Sequence, residues 1–251
     1  MRIVSLSPSI TRQLIDLDAE DMLAGVTALH PPLSKPVPVI GSMLRPNSEK
    51  IILLKPDIVL LSEEDSATQS VGFLETCNLN SRKFGRNGSF EDICKNYIEL
   101  GRLIGKEQLA EQKAAVYAAQ VKAARAKQIG LTVLLLVAHE PLITASDKSF
   151  VGRIITDAGG SNCFKELAVP YPIVSPEAVI KKNPHVMLAI TQGGADYLRQ
   201  KFSGFNLAAY NNDLIAEISP ERLTYYTPAD YASAVRELSE ILTKAKEKLS
   251  K

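Results

Sequence analysis

With 251 residues, 45% of them hydrophobic, the chain has enough apolar material for a buried core, in one large domain or two small lobes. A formal net charge of +1, with acidic and basic residues interleaved, excludes the broad positive field of a nucleic-acid binder. Cys77, Cys94 and Cys163 are odd in number, far apart and in no CxxC or Cys/His spacing. That excludes a structural zinc site or a disulfide framework and predicts three small buried apolar residues.

Met1 runs directly into a predicted strand, Ile3 to Leu6, with no charged leader, apolar stretch and cleavage site before it. No apolar run approaches the roughly 20 residues of a membrane helix. Two readings follow: a periplasmic or extracytoplasmic protein whose export signal or lipid anchor has been removed, or a cytosolic one. Ser9 is the expected cap of a helix whose apolar positions Ile10, Leu14, Ile15 and Leu17 recur at helical spacing. Ile58 to Leu61 predicts a strand entered from Lys55-Pro56-Asp57, and Arg82 to Phe84 a weaker one. From Phe90 to Gln128 the pattern is helical, interrupted near Gly101 and Gly105. Lys106 to Lys127 contains no Gly or Pro and would span roughly 33 Å as a helix. After Gly130 an unbroken apolar strand, Val133 to Val137, restarts the alternation. The charge-rich end, Lys244 to Lys251, reads as a solvated helix terminus.

The predicted fold is therefore α/β, with two Rossmann-like lobes, residues 1–104 and 129–251, joined by a single long backbone helix over 105–128. The alternative is one sheet domain with that helix on its surface. An internal repeat favours two lobes. Pro46 to Leu61 (PNSEKIILLKPDIVLL) aligns without gaps against Val174 to Ala189 (VSPEAVIKKNPHVMLA). In each, a capping residue (Asn47, Ser175) is followed two positions later by Glu. An apolar pair, a helix-ending Pro and an apolar strand come next.

A doubly wound α/β enzyme, such as a hydrolase, is the competing class. Gly159-Gly160 and Gly193-Gly194 belong to neither GxxxxGK[ST] nor GxGxxG, and read as C-terminal helix caps. No GxSxG elbow is present, and His139-Glu140 is not HExxH.

The order of several segments resembles the class III, helical-backbone periplasmic binding proteins of ABC importers, nearest the vitamin B12-binding branch. The segments are RIVSLSPSIT (Arg2 to Thr11), AGVT (Ala24 to Thr27), VIGSMLRPNSEKIILLKPDIVL (Val39 to Leu60), TASDKSFVGRIITDAGGSNCF (Thr144 to Phe164) and VPYPIVSPEAVIKKNPHVML (Val169 to Leu188). The resemblance implies a binding protein rather than an enzyme, with no intrinsic cofactor and no nucleic-acid partner. It implies an interlobe cleft, modest hinge motion and a cobalt- or iron-containing chelate as ligand: a corrinoid first, then haem or an iron-siderophore. It also implies docking onto a permease dimer through one carboxylate per lobe, which falls on Glu49 and Glu177. Contact with the membrane is then through the permease or a lipid anchor outside this chain.

Ligand contacts are expected where strands end and loops begin. In the first lobe these are His30 (beside Leu29), Met43, Leu44 and Arg45. In the second they are His139, Glu140 and Tyr171, with Arg222 and Tyr225 or Tyr226 in the last loop. Met43 stands where B12 binders can carry Trp and haem binders often carry an iron-ligating Tyr. Tyr171 stands where the B12 branch can have Trp. No metal-ligand set is assigned: His30 and His139 are each a lone imidazole, and His185 reads as structural.

Overall fold

In the computed structural model, which describes residues 1–63, 72, 74, 77–218, 225 and 227–250, the chain forms two compact α/β units. One comprises Met1–Ala115 with Tyr225–Pro228, the other Val116–Thr224 with Ala229–Lys251.

The first unit is built on four parallel strands in the order β2-β1-β3-β4: β1 (Ile3–Ser5), β2 (Leu23–Val26), β3 (Ile58–Ser62) and β4 (Ser81–Phe84). β1 and β3 are buried throughout, as parallel strands covered on both faces must be. Period-2 alternation sends Ile3, Ile58 and Leu60 into one cluster with Ile10 and Leu14 of α1 (Pro8–Asp16). Val4, Leu6, Val59 and Leu61 face the other way, onto Ile51 of α2 (Ser48–Leu53). Ser7, not Ser9, caps α1: its side chain accepts from the Ile10 amide, and Pro8 then takes the first helical position. Ser9 is buried inside the helix.

α3 (Phe90–Leu103) runs through Gly101 without a break, and the interruption comes only at residues 104–106. Gly101 is where α3 meets the long helix α4 (Glu107–Arg125): a Cβ there would lie 2.5 Å from the Ala110 Cβ. α4 has 19 residues, about 28 Å, somewhat shorter than the composition suggested. The division between the two units falls inside it.

The second unit repeats the first. β5 (Thr132–Ala138) pairs in parallel with β8 (Val186–Ala189), and β8 with β9 (Ile215–Glu217). On the free side of β5 lie β6 (Ile143–Thr144), antiparallel at its end, and β7 (Ser161–Asn162), parallel at its start. With β7 in the place of β2, the order is again 2-1-3-4. The helices are α5 (Phe150–Asp157), α6 (Pro176–Lys182), α7 (Gly194–Lys201), α8 (Ala208–Asn211) and α9 (Pro228–Leu249). Gly159, at φ +86°, follows α5 as a C-terminal turn. Gly193-Gly194, expected to close a helix, opens one instead: Gly193 caps α7 and the Glu217 carboxylate accepts from the Ala195 amide. Of the cysteines, Cys163 is buried, Cys94 half-buried and Cys77 exposed, so burial holds for only one of the three. Burial raises the Cys163 thiol pKa to about 11 and that of Cys94 to about 12.

Each unit holds its part of α4 with the same polar device. In the first, Asp16 ends α1, accepts from the hydroxyl of fully buried Tyr97 and pairs with Lys113 of α4, Nζ to Oδ1 3.5 Å. In the second, Asp157 ends α5 and accepts from the Tyr231 hydroxyl at 2.7 Å. Arg125 of α4 donates to its other oxygen, Nε at 3.0 Å and Nη2 at 2.7 Å. The Asp157 side chain is 9% exposed and Tyr231 1%, so loss of the carboxylate would strand the buried tyrosine hydroxyl, whereas the half-exposed Arg125 turns to water. Asp157→Asn should lower stability by about 2–3 kcal/mol in urea unfolding, and Tyr231→Phe by about 1 kcal/mol. A change in Asp157→Asn below about 0.5 kcal/mol would show that the carboxylate does not hold the helix.

Candidate functional site

All four strands of the first sheet run in one direction, so the segments that leave their carboxyl ends emerge along one edge. Binding residues of open α/β sheets sit there. The loop after β2 carries four of the expected residues and is pinned at several points. The Ile40 amide donates to the Val26 carbonyl at 2.9 Å and the Ala28 amide to the Gly41 carbonyl at 2.8 Å. Gly41 and Pro46 form a bridge that closes residues 42–45 into a tight turn, and the Arg45 amide donates to Ser42 Oγ at 3.1 Å. Gly41 is at φ +108°, where a Cβ would meet the Arg45 carbonyl at 2.7 Å, so the turn requires glycine.

The turn presents Leu44, 66% exposed, and Arg45, also exposed, with Met43 half-buried. Beside it stand Leu29, 68% exposed, and half-buried His30. His30 Nδ1 donates to the Pro31 carbonyl at 2.7 Å, which fixes the proton on that nitrogen and leaves Nε2 with the lone pair. The structure thus brings His30, Met43, Leu44 and Arg45 into one loop system.

In the second unit, His139 and exposed Glu140 follow β5 directly. Residues 169–174 run back along 142–146. The Thr144 and Ser146 amides donate to the Pro172 and Pro170 carbonyls at 3.1 and 2.9 Å, and the Val174 amide to Leu142 at 3.0 Å. This tethered segment carries Tyr171, 44% exposed, among Val169 and Ile173, 54% and 68% exposed. Extending the repeat alignment backwards pairs Tyr171 with Met43, so the two correspond. His139 packs its ring on Tyr197 of α7, centroids 5.1 Å apart, and its Nδ1 is buried with no hydrogen-bond partner. Tyr197 escaped the sequence reading because only the tertiary fold places α7 over the end of β5. Arg222 and Tyr226 lie outside the described residues. His185 is structural, its Nδ1 2.6 Å from Thr132 Oγ1. Among the described residues no three His, Cys, Asp or Glu side chains gather as a metal set. No described helix is long and apolar enough to cross a membrane.

The two repeat carboxylates sit as their sequences direct. Asn47 and Ser175 cap α2 and α6, accepting from Lys50 and Ala178 amides at 2.9 and 3.2 Å. Glu49 and Glu177 stand exposed in the first turns, with no ion-pair partner among the described residues. The Glu177 carboxylate is held below its ordinary range by its own backbone amide and then by the Ser175 hydroxyl. A depressed carboxyl pKa contributes stability above the unfolded value, lost as pH falls through the folded one. Carbon-detected titration should therefore find a Glu177 midpoint below 4.5, moving upward in Ser175→Ala. An unchanged midpoint in Ser175→Ala would contradict the contact between the Ser175 hydroxyl and the Glu177 carboxylate.

Comparison with known proteins agrees with this architecture. A vitamin B12-binding protein of Vibrio campbellii is 27% identical over 193 residues, 75% of this chain and 70% of that protein. The periplasmic vitamin B12 binding protein BtuF of Vibrio cholerae superposes with a TM-score of 0.83 at 22% identity, covering 98% of each chain. The periplasmic heme binding protein HutB of the same organism gives 0.86 at 21%, covering 96% of this chain and 98% of that one. At such identities the structural likeness establishes the fold. The family model described as periplasmic binding protein matches residues 3–221, and the chain belongs to that family.

Proposed function

We propose that this chain is the substrate-binding component of an ABC importer, working outside the cytoplasm by capture and release of a metal chelate, a corrinoid first. The observation that carries the reading is the set of large apolar side chains, Leu29, Leu44 and Tyr171, held exposed on tethered loops at the carboxyl edges of the sheets. Rigid loops that keep apolar groups in water are suited to a ligand with apolar faces. Arg45 and His30 on the first unit's loops, and Glu140 and His139 on the second's, are the polar partners offered to a macrocycle's rim. A corrinoid fits this mixture without a protein ligand to its cobalt, and the metal arrives with the ligand rather than residing in the protein. The B12-binding relatives support the choice.

Haem is the second reading, favoured by the His30 Nε2 lone pair and by the Met43 thioether, both able to ligate iron. Delivery is to a permease dimer, through Glu49 on one unit and Glu177 on the other. Exposed surface carboxylates at equivalent places suit a two-fold receptor bearing cations.

Calorimetry with cyanocobalamin, cobinamide and hemin ranks the ligands directly. The corrinoid reading expects both corrinoids to bind one to one, with Tyr171→Ala weakening them about tenfold. Binding of hemin alone, with a spectrum lost on changing Met43 or His30, would replace it by the haem reading. Glu49→Ala with Glu177→Ala should leave corrinoid affinity unchanged and weaken association with the permease. The reverse pattern would remove the docking assignment.

A further inference from the structure

α2 is apolar on both of its sides. Ile51 is fully buried and Leu54 packs against the same core, so these two form the inward face. Ile52 and Leu53 turn outward, 46% and 78% exposed. They follow Glu49 by three and four positions, which places one carboxylate and two aliphatic side chains on a single helical face.

The second unit supplies an internal control. The gap-free repeat places Ile180 and Lys181 of α6 where α2 has Ile52 and Leu53, and Lys182 where it has Leu54. Ile180 is half-buried against its own core, and Lys181 is exposed. The same short helix, between the same cap and the same strand, thus accepts a charged residue at the position of Leu53. Packing within the unit does not call for a leucine there.

We propose that Glu49, Ile52 and Leu53 form one contact face for the permease, in which the carboxylate supplies charge and the aliphatic pair supplies apolar burial. The inference rests on the importer reading above and deepens it. The first unit docks by a mixed face whose grip is only partly salt-sensitive, whereas the second presents Glu177 with exposed Lys181 in place of the leucine. A partner with a cation next to an apolar depression satisfies all three side chains. A second copy of this chain does not, because a two-fold contact through so small a face would bring the two Glu49 carboxylates together.

The test is association of the wild type, Ile52→Ser/Leu53→Ser and Glu49→Ala with the importer's permease in lipid nanodiscs, at low and high salt. The serine pair carries no charge change. It should weaken association about tenfold at both salt concentrations, whereas Glu49→Ala should cost most of its affinity at low salt only. Thermal unfolding of each variant reports whether its fold is retained. Association of the serine variant equal to wild type would overturn the proposal. So would a concentration-dependent wild-type dimer in sedimentation that the serine pair abolishes, since the face would then belong to a second copy. Failure of the wild type to associate at all is a different result and counts against the importer reading itself.

Discussion

A carboxylate that receives a buried tyrosine hydroxyl on one oxygen and a cation from α4 on the other is the constraint around which each unit is organised. Asp16 and Asp157 each end the helix that precedes their unit's second parallel strand. Tyr97 comes from α3 and Tyr231 from α9, far away in sequence. α4 itself has little apolar grip: its buried residues are Ala110, Ala114, Val121 and Ala124, mostly small. Burial of alanines says little about the rotation of a helix, whereas a directed ion pair fixes it. Lys113 and Arg125 therefore set the orientation that the alanines leave loose, and Gly101 lets α3 approach closely enough for it.

With the helix fixed, the sheets follow the same plan twice. The order 2-1-3-4 recurs with β5, β8 and β9 in the places of β1, β3 and β4. Parallel strands send their chain ends to one edge, and connections there carry the binding candidates. Those connections are held by backbone hydrogen bonds and bridges, with Leu29, Leu44 and Tyr171 exposed on them.

What was legible in the sequence is what has a local cause. The repeat could be read because Asn47 and Ser175 cap, Glu49 and Glu177 follow in the first turn, and Pro56 and Pro184 stop the helix. The long helix could be read from its composition. The apolar spacing that starts at Ile10 points to Ser9 as the cap, whereas Pro8, suited to the first helical position, points to Ser7, the residue that caps. Gly193-Gly194 reads as a helix end yet opens α7, because a glycine pair is at home on either side of a helix. The Asp–Tyr–cation pair of anchors has no local cause, since the aspartate and tyrosine are 81 and 74 residues apart. Its one trace was a serine cap followed about one helix later by aspartate, in SPSITRQLID and again in SFVGRIITD. Tyr197 was likewise invisible until α7 was folded over the end of β5.

The central claim is that the carboxyl-edge loops, and not the helical faces, receive the ligand. Hydrogen exchange with and without saturating cyanocobalamin tests it most directly, peptide by peptide. Added protection is expected over residues 28–30, 41–46, 139–146 and 169–173, with α3 and α9 unchanged. Protection confined to α3, α4 or α9, with these loops exchanging as in the free protein, would contradict it.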